Sequence, residues 1–523
     1  MYKRAFIIYI IVNVAFASAF IASSYRTNQE GQNLVLLYGS SSLNTKEPPQ
    51  SPSFWEALWG IGSNGSPWEY MLRMREHGYD GIVPVDLGPG GKYNFLLSPE
   101  AVKAATVEES SALARRFSVS LFETLELDKG LVYEQGQRHR RHKKICIPSF
   151  EQSRSMESFV QASRVELDYL SNSFSKRSTI DLYVEMRRSA LNVVLDVTFG
   201  LGAEGAMGFQ KADELSRTIG EYLERIVALA NEIPPLWQIS PRLSFNYVRV
   251  TDVVLPNLRS LVAEVISTRR KSVGIDQRKE SADLLGVLVE ETGLDDNDIR
   301  SILFDVVIAG SDTTASTTTA SLYVLHQPQH EKWLEKARQE AIDTNAGKGV
   351  PLNELRTKMP LIVGIAREIL RLYPAVPFVG RTAVEGGSIY DGYPIVKGDT
   401  FCFSPWFLGR DKKAWGDDAQ EFNPQRWLDD PMNGGAKSSF SWLPFGAGPR
   451  GCLGTRLGLT EVILGIARLL LDFEFQFETK GPLPVKYDLT LNLDGVMGCK
   501  IRQRDTFRDD TMEVNIPYFM ETR

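Results

Sequence analysis

The sequence predicts a mainly α protein, a single large helical domain with small peripheral β-sheets. Three observations carry this. Apolar residues recur at helical spacing through most of the chain after Ser98. Strand signals are short and confined to Ile82-Val-Pro-Val85 and Tyr93-Asn-Phe-Leu-Leu97 around a glycine-rich turn at 88–91, then to 388–398, 473–477 and 489–502. No strand–helix–strand series alternates, as a doubly wound parallel sheet requires. Composition does not break between 53 and 523, so that stretch reads as one domain, although length alone suggests about three.

Bulk composition excludes several classes. The chain is 43% hydrophobic and 24% charged with a net charge of −6, which argues against a general nucleic-acid binder. Cys146, Cys402, Cys452 and Cys499 lie far apart and form no Cys-x-x-Cys pair, so neither a zinc cluster nor a dithiol site is encoded. A disulfide framework is equally foreign to so large a chain with so few cysteines. One thiol is expected to have a chemical role and three to be small core residues.

At the N-terminus, Lys3 and Arg4 precede an apolar run from Ala5 to Ala22, interrupted by Asn13. One reading is a membrane anchor at the lower edge of spanning length. The other is a signal peptide over residues 1–19, ending in the small residues Ala17-Ser18-Ala19. Residues 20–52 follow as a transit-like segment, rich in hydroxyl side chains, with Glu30 the single acid before Lys46. They close in the proline-marked linker Glu47-Pro-Pro-Gln-Ser-Pro52.

Within the domain, four stretches carry chemistry. From Arg138 to Lys144 every residue is basic or histidine. Such a run is usually a solvated helix face, or in other settings a nucleic-acid patch. The second stretch is Ala309-Gly-Ser-Asp-Thr-Thr314, inside a helix-period run from about Asn297 to His326. Gly310 weakens the helix there by roughly 1 kcal/mol relative to alanine. Thr313 lies four residues after Ala309, so its hydroxyl can bond the Ala309 carbonyl and open the ladder. The resulting groove, beside an acid and an alcohol, offers space for dioxygen at a metal and a route for protons. A kinked core helix with satisfied hydroxyls would carry the same pattern.

In the third, Glu368-Ile-Leu-Arg371 sets an acid and a base on one helix face, and Phe422-Asn-Pro-Gln-Arg-Trp427 adds Arg426. The fourth is Phe445-Gly-Ala-Gly-Pro-Arg-Gly-Cys-Leu-Gly454, a tight loop that brings backbone amides close to the Cys452 sulfur. Amides, the nearby arginine and the N-terminus of the apolar helix after Gly454 favour the thiolate, the metal-binding form. A buried structural cysteine is the plain alternative.

In this order the stretches resemble the cytochrome P-450 enzymes, the haem-thiolate monooxygenases, over about residues 53 to 505. The loop fits the family's Phe-x-x-Gly-x-Arg-x-Cys-x-Gly. The long helix fits Ala/Gly-Gly-x-Asp/Glu-Thr-Thr/Ser, and Glu-x-x-Arg and Phe-x-Pro-x-Arg-Trp lie between them. The resemblance implies the cytochrome P-450 fold and haem b, with Cys452 as the axial iron ligand and Phe445 beside the cofactor. Arg450 and Arg381 would hold the propionates. His139 stands where tryptophan is usual and Lys143 where arginine is usual; both can donate to a carboxylate, though lysine lacks the bidentate fork. Glu368, Arg371 and Arg426 would form a structural charge network, and Asp312 and Thr313 would organise proton delivery.

The implied reaction is RH + O2 + 2 H+ + 2 e− giving ROH and water. The chain contains no flavin or nicotinamide module, so electrons come from a partner: ferredoxin in a plastid, a diflavin reductase at the endoplasmic reticulum. An acidic donor could dock on the positive charges of the thiolate side. Phe304, Val307, Ala309, Val376, Phe378 and Val496 would line the distal pocket, and all are apolar, so a hydrophobic substrate is expected. Ala17-Ser18-Ala19-Phe20 is similar to the two-part plastid-targeting signal of algae with complex plastids. The alternative is the family's endoplasmic-reticulum membrane anchor. Plastid targeting favours an isoprenoid. The candidates are a carotenoid, or a shorter prenyl or terpenoid metabolite undergoing allylic methyl oxidation, extending stepwise to the acid. Plastid carotenoid ring hydroxylases resemble Ala-Gly-His-Glu-Thr-Thr, unlike the present Ala309-Gly-Ser-Asp-Thr-Thr314. A haem-thiolate isomerase or dehydratase needing no reductase, and a non-catalytic haem-binding protein, are the readings from other classes.

Overall fold

The computed structural model describes residues 51–504 except 65, 88–91, 117–124, 126–128, 201–208, 231, 233–235, 274–282, 488–489, 494 and 496. The targeting and anchor readings up to residue 50, the turn at 88–91 and Val496 lie outside the described residues. The helices that frame the site are α1 (Gly136–Glu151), α2 (Ser153–Phe174), α3 (Leu182–Phe199), α4 (Phe209–Ala230), α5 (Leu255–Val273), α6 (Asp296–Leu325), α7 (Pro360–Leu372) and α8 (Thr455–Asp472). No described helix is long and apolar enough to cross a membrane.

Strands occupy the edges, as the sequence predicts. They are β1 (Ile82–Asp86), β2 (Lys92–Leu96), β3 (Arg115–Arg116), β4 (Thr179–Asp181), β5 (Val379–Thr382), β6 (Thr400–Phe403), β7 (Phe473–Phe477) and β8 (Gly498–Gln503). One sheet has the order β1-β2-β6-β5-β3 and another the order β4-β8-β7. In the first, β2 runs parallel to β6 and the other pairs are antiparallel, with Val83 opposite Phe95 and Arg381 opposite Phe401. Gly387–Ile389 and Tyr393–Ile395 pair as a hairpin that overlaps the 388–398 strand signal.

Helix α6 is the axis of the molecule. Its N-terminus is fixed by a reciprocal cap: Asp295 accepts the Asp298 N–H at 2.8 Å, and the Asp298 carboxylate accepts the Asp295 N–H. It packs against α3, α8 and α7. Two of the main apolar clusters meet along it. One gathers α2, α3, α7, α8 and β7 around Leu322, Tyr323 and Leu325; the other gathers α1, α4 and α5 around Ile299, Ile302 and Leu303. Gly310 has a packing role as well as a helix-weakening one, since a Cβ there would collide with Val194 of α3. A third cluster lies between the first sheet and the helices near residues 54–76.

Candidate active site

The Cys452 loop is built by its glycines. Gly446 and Gly448 have φ of 68° and 65°, in the left-handed region that favours glycine. A Cβ on Gly448 would also run into the Thr106 carbonyl. A 3-10 turn over Gly448–Arg450 then lets the Cys452 N–H donate to the Phe445 carbonyl at 2.8 Å. Phe445 packs edge-on to Trp442 with ring centroids 6.2 Å apart. Cys452 sits deep among protein atoms, yet its side chain is exposed, as at the floor of a cleft.

Its titration departs from the simple expectation. Burial raises the thiol pKa, and this outweighs the lowering by the Gly454 N–H, Arg116, the Thr455 hydroxyl and Lys143. The amides and cations are present as the sequence predicts, but they reduce a desolvation cost rather than produce a free thiolate. The other three cysteines are buried, and burial pushes Cys146 and Cys499 up to about 12 and Cys402 higher still. They are inert core residues.

On α6, Ala309 is exposed, between the half-buried Ile308 and Gly310 and the buried Val307 and Ser311. The Thr313 hydroxyl donates to the Ala309 carbonyl at 2.8 Å, the bond that the spacing allows. The helix nevertheless continues unbroken from Asp296 to Leu325, because the carbonyl can accept the side chain without losing its backbone donor. Ala309 is therefore exposed without any interruption of the helical ladder. Asp312 is half-buried beside Thr313.

A cluster of positive charge gathers between the loop and the first sheet. Arg381 is buried, and its pKa is lowered by burial and then by Arg116 and Arg450. Burial and Arg116 likewise lower Arg450. Lys143 is lowered by burial, by Arg116 and by Arg450, against an opposing pull from Cys452. His139 is buried and held down to about 4 by burial, Arg450 and Lys143, so it is neutral at neutral pH. Arg450 donates through Nε to the Ala114 carbonyl at 3.0 Å, and through Nη1 and Nη2 to the Leu131 and Glu134 carbonyls. Lys143 Nζ donates to the Pro449 and Gly451 carbonyls at 2.8 Å each, gripping the cysteine loop. The basic run thus divides by helical phase: His139 and His142 face inward, while Arg140, Arg141 and Lys144 are exposed.

Arg116 is one residue of this cluster that sequence reasoning missed. It sits in a two-residue strand with no motif or periodicity around it, and only the β3–β5 pairing brings it to the cluster. Its Nη2 donates to the Arg450 carbonyl at 2.9 Å.

Glu368 and Arg371 are fully buried, and their fork is bidentate at 2.7 and 2.8 Å. Arg426 Nε joins the carboxylate at 3.1 Å. The Asn423 N–H at 2.9 Å and Trp427 Nε1 at 3.0 Å complete it, both from the quoted Phe422–Trp427 stretch but not singled out there.

The expected pocket residues do not share one cluster. Phe304 and Val307 are buried with α4 and α5, with Phe304 6.3 Å from the Tyr222 ring. Phe378 packs with Phe95 and Trp68 in the third cluster, and Val376 is half-buried.

These residues suit a haem. Mutually repelling cations beside one exposed thiol suit a cofactor that carries two carboxylates and an iron that sulfur can ligate. The loop, the helix and the cationic cluster thus define a haem-thiolate protein. The Cytochrome P450 family model matches residues 46–495, and the chain belongs to that family. Among curated relatives it is 26% identical to protein LUTEIN DEFICIENT 5, chloroplastic, of Arabidopsis thaliana, over 84% of this chain and 74% of that one. It is 27% identical to a cytochrome P450 of Arthroderma benhamiae over 87% and 92%. It is 28% identical to steroid 17-alpha-hydroxylase/17,20 lyase of Felis catus over 68% and 72%. The protein is a haem b oxidoreductase of the monooxygenase class that draws electrons from a redox partner and acts on hydrophobic substrates.

Proposed function

We propose that the chain hydroxylates an isoprenoid, a carotenoid or a shorter prenyl or terpenoid metabolite, in a plastid. The observation that carries the site reading is the exposure of Ala309 beside Thr313, between the buried Val307 and the buried run from Thr314 to Leu325. Support for the substrate class and compartment comes from the chloroplastic relative and from the apolar character of Phe304, Val307 and Phe378.

When bound, haem b supplies the iron centre at which dioxygen and two electrons are used to oxidise a C–H bond. Cys452 would ligate that iron as the thiolate, with the Gly454 N–H lowering the cost of its charge and the Thr455 hydroxyl donating to the Cys452 carbonyl at 3.1 Å. Arg116, Arg381 and Arg450 hold the carboxylates; His139 and the remaining Lys143 N–H add donors. Thr313 holds a proton at Oγ1 on the open side of α6, and Asp312 resupplies it. Phe445 shields the sulfur face. Glu368, Arg371 and Arg426 hold the segment leading into the cysteine loop. Arg140, Arg141 and Lys144 offer an acidic electron donor, ferredoxin in this reading, a cationic face. Trp55 and Trp59, each 73% exposed and four residues apart on the Phe54–Asn64 helix, support contact with a membrane surface.

The reduced carbon-monoxide complex should show the red-shifted Soret band of thiolate ligation, and Cys452→Ala should abolish it. A spectrum typical of histidine-ligated haem would refute the ligand assignment. Ligand-binding spectra with carotenoids and short prenylated metabolites test the substrate class. Turnover that ignored the electron donor would favour an isomerase or dehydratase instead.

A further inference from the structure

Asp305 lies on α6, one turn before Ala309 and two before Thr313, and shares their helix face. Its carboxylate is buried, and Oδ2 accepts the Val132 N–H at 2.6 Å. Val132 belongs to a turn over 130–134, closed by the Tyr133 and Glu134 N–H groups donating to the Gly130 carbonyl at 3.1 and 2.9 Å. This turn supplies the Leu131 and Glu134 carbonyls that hold Arg450. Its far end is tied to α1, where the Glu134 carboxylate accepts from Arg138 Nε and His142 Nδ1 at 2.8 Å each. The turn presses close on α6: a Cβ on Gly130 would meet the Asp305 carboxylate and lie 2.6 Å from the Ser301 carbonyl.

We propose that Asp305 is a positioning residue for the haem carboxylates, fastening the 130–134 turn, and through it Arg450, to the dioxygen-side helix. The proposal rests on reading Arg116, Arg381 and Arg450 as the carboxylate-binding cluster. Two further facts agree with it. Arg116 and Asp305 feel each other electrostatically, which places the acid, like Glu134, at the border of the cationic cluster. Burial, with a smaller push from the Glu134 charge, brings the Asp305 pKa up to about 7 against the lowering by the Val132 bond and Arg116, so the carboxyl can hold Val132 either charged or neutral. What the clamp needs is an acceptor oxygen, not a charge.

The test uses the full-length holoenzyme and measures haem loss to excess apomyoglobin, with far-UV circular dichroism as the fold control. Asp305→Ala orphans the buried Val132 N–H and should accelerate haem loss about ten-fold, whereas Asp305→Asn keeps an acceptor and should stay within about three-fold of wild type. Gly130→Ala, which displaces the turn with Asp305 intact, should reproduce the alanine result. Unchanged haem loss in Asp305→Ala, beside faster loss in Arg450→Ala, overturns the proposal while leaving the carboxylate cluster standing. Loss from Asp305→Asn as fast as from Asp305→Ala overturns it too. If Arg450→Ala is also silent, the cluster reading falls and takes the proposal with it.

Discussion

Arg116 and Arg381 are directly opposite each other in the antiparallel pair of β3 and β5. Two guanidinium groups on one sheet face oppose like charge to like charge, an arrangement that costs about 0.2–1 kcal/mol in an ordinary sheet. Arg381 stacks 5.8 Å from the Phe403 ring and donates to the Gly380 carbonyl at 3.1 Å, which spreads but does not neutralise its charge. Only an anion bound between them turns the repulsion into attraction. Arg116→Ala should therefore act with opposite signs in the two forms of the protein. The thermal midpoint of the haem-free chain should hold or rise, while the haem-loaded protein should lose its cofactor faster. Equal destabilisation of both forms would mean that Arg116 is structural.

Glu368 accepts five hydrogen bonds, two from Arg371 and one each from Arg426, Asn423 and Trp427. Glu368→Gln keeps the shape, removes the charge and points an amide donor at other donors. Breaking one member of a buried charge set costs roughly 3–5 kcal/mol, so this variant should accumulate little haem-loaded protein and unfold at markedly lower urea. Asp418 offers the contrast. It pairs with Arg426 at 2.8 Å, but its side chain is 40% exposed. Asp418→Asn should cost less than about 1 kcal/mol, and a comparable loss from both would sink the distinction.

What the sequence disclosed follows from how local each signal is. Cys452, Thr313 and the Glu368–Arg371 pair are legible because their chemistry is written within ten consecutive residues, where glycine, proline and i, i+4 spacing have fixed geometric meaning. Arg116 and Asp305 are illegible for the opposite reason. Each gains its role from a segment far away in the chain, Arg381 for one and Val132 for the other. The sequence presents Gly310 as a weak point in a helix, whereas its packing partner, Val194, appears only once α3 lies across it. The apolar pocket residues were the least defined, since Phe304 and Phe378 read the same whether they fill a core or face a substrate.

In the proposed reading, Thr313 couples electron use to product formation. Its hydroxyl rests on the Ala309 carbonyl at 2.8 Å and can turn toward the open side of α6. Thr313→Val keeps the volume and removes the proton carrier. Reductant consumption should continue while product per electron falls by roughly 10²-fold, the lower end of what a positioned acid contributes. Asp312→Asn should slow turnover in the same range while the spectrum of the carbon-monoxide complex stays unchanged. Parallel loss of reductant consumption and product in Thr313→Val would place the hydroxyl in packing, not proton transfer.

Glu166 and Glu461 give the fold a pH dependence with a definite sign. Glu461 lines a cavity of about 20 Å³, room for one water, together with Ser163, Ser189, Thr314 and Thr318. Burial and then the Glu166 charge hold Glu461 well above the usual carboxylate range. Burial raises Glu166 from 4.5 to about 7, against the Asn192 hydrogen bond and the Arg188 charge, with Glu185 adding to the rise. A carboxyl whose folded pKa is raised binds more protons in the native state than in the unfolded one. Stability is therefore fullest below pH 4.5 for this group and falls as pH climbs toward 7, by on the order of 3 kcal/mol. Glu166→Gln removes that dependence. Its thermal midpoint, compared with wild type, should be near parity at pH 4.5 and should pull ahead progressively up to pH 7.5. Glu461→Gln should extend the advantage to higher pH. A constant offset between variant and wild type across this range would show that the two carboxyls titrate normally.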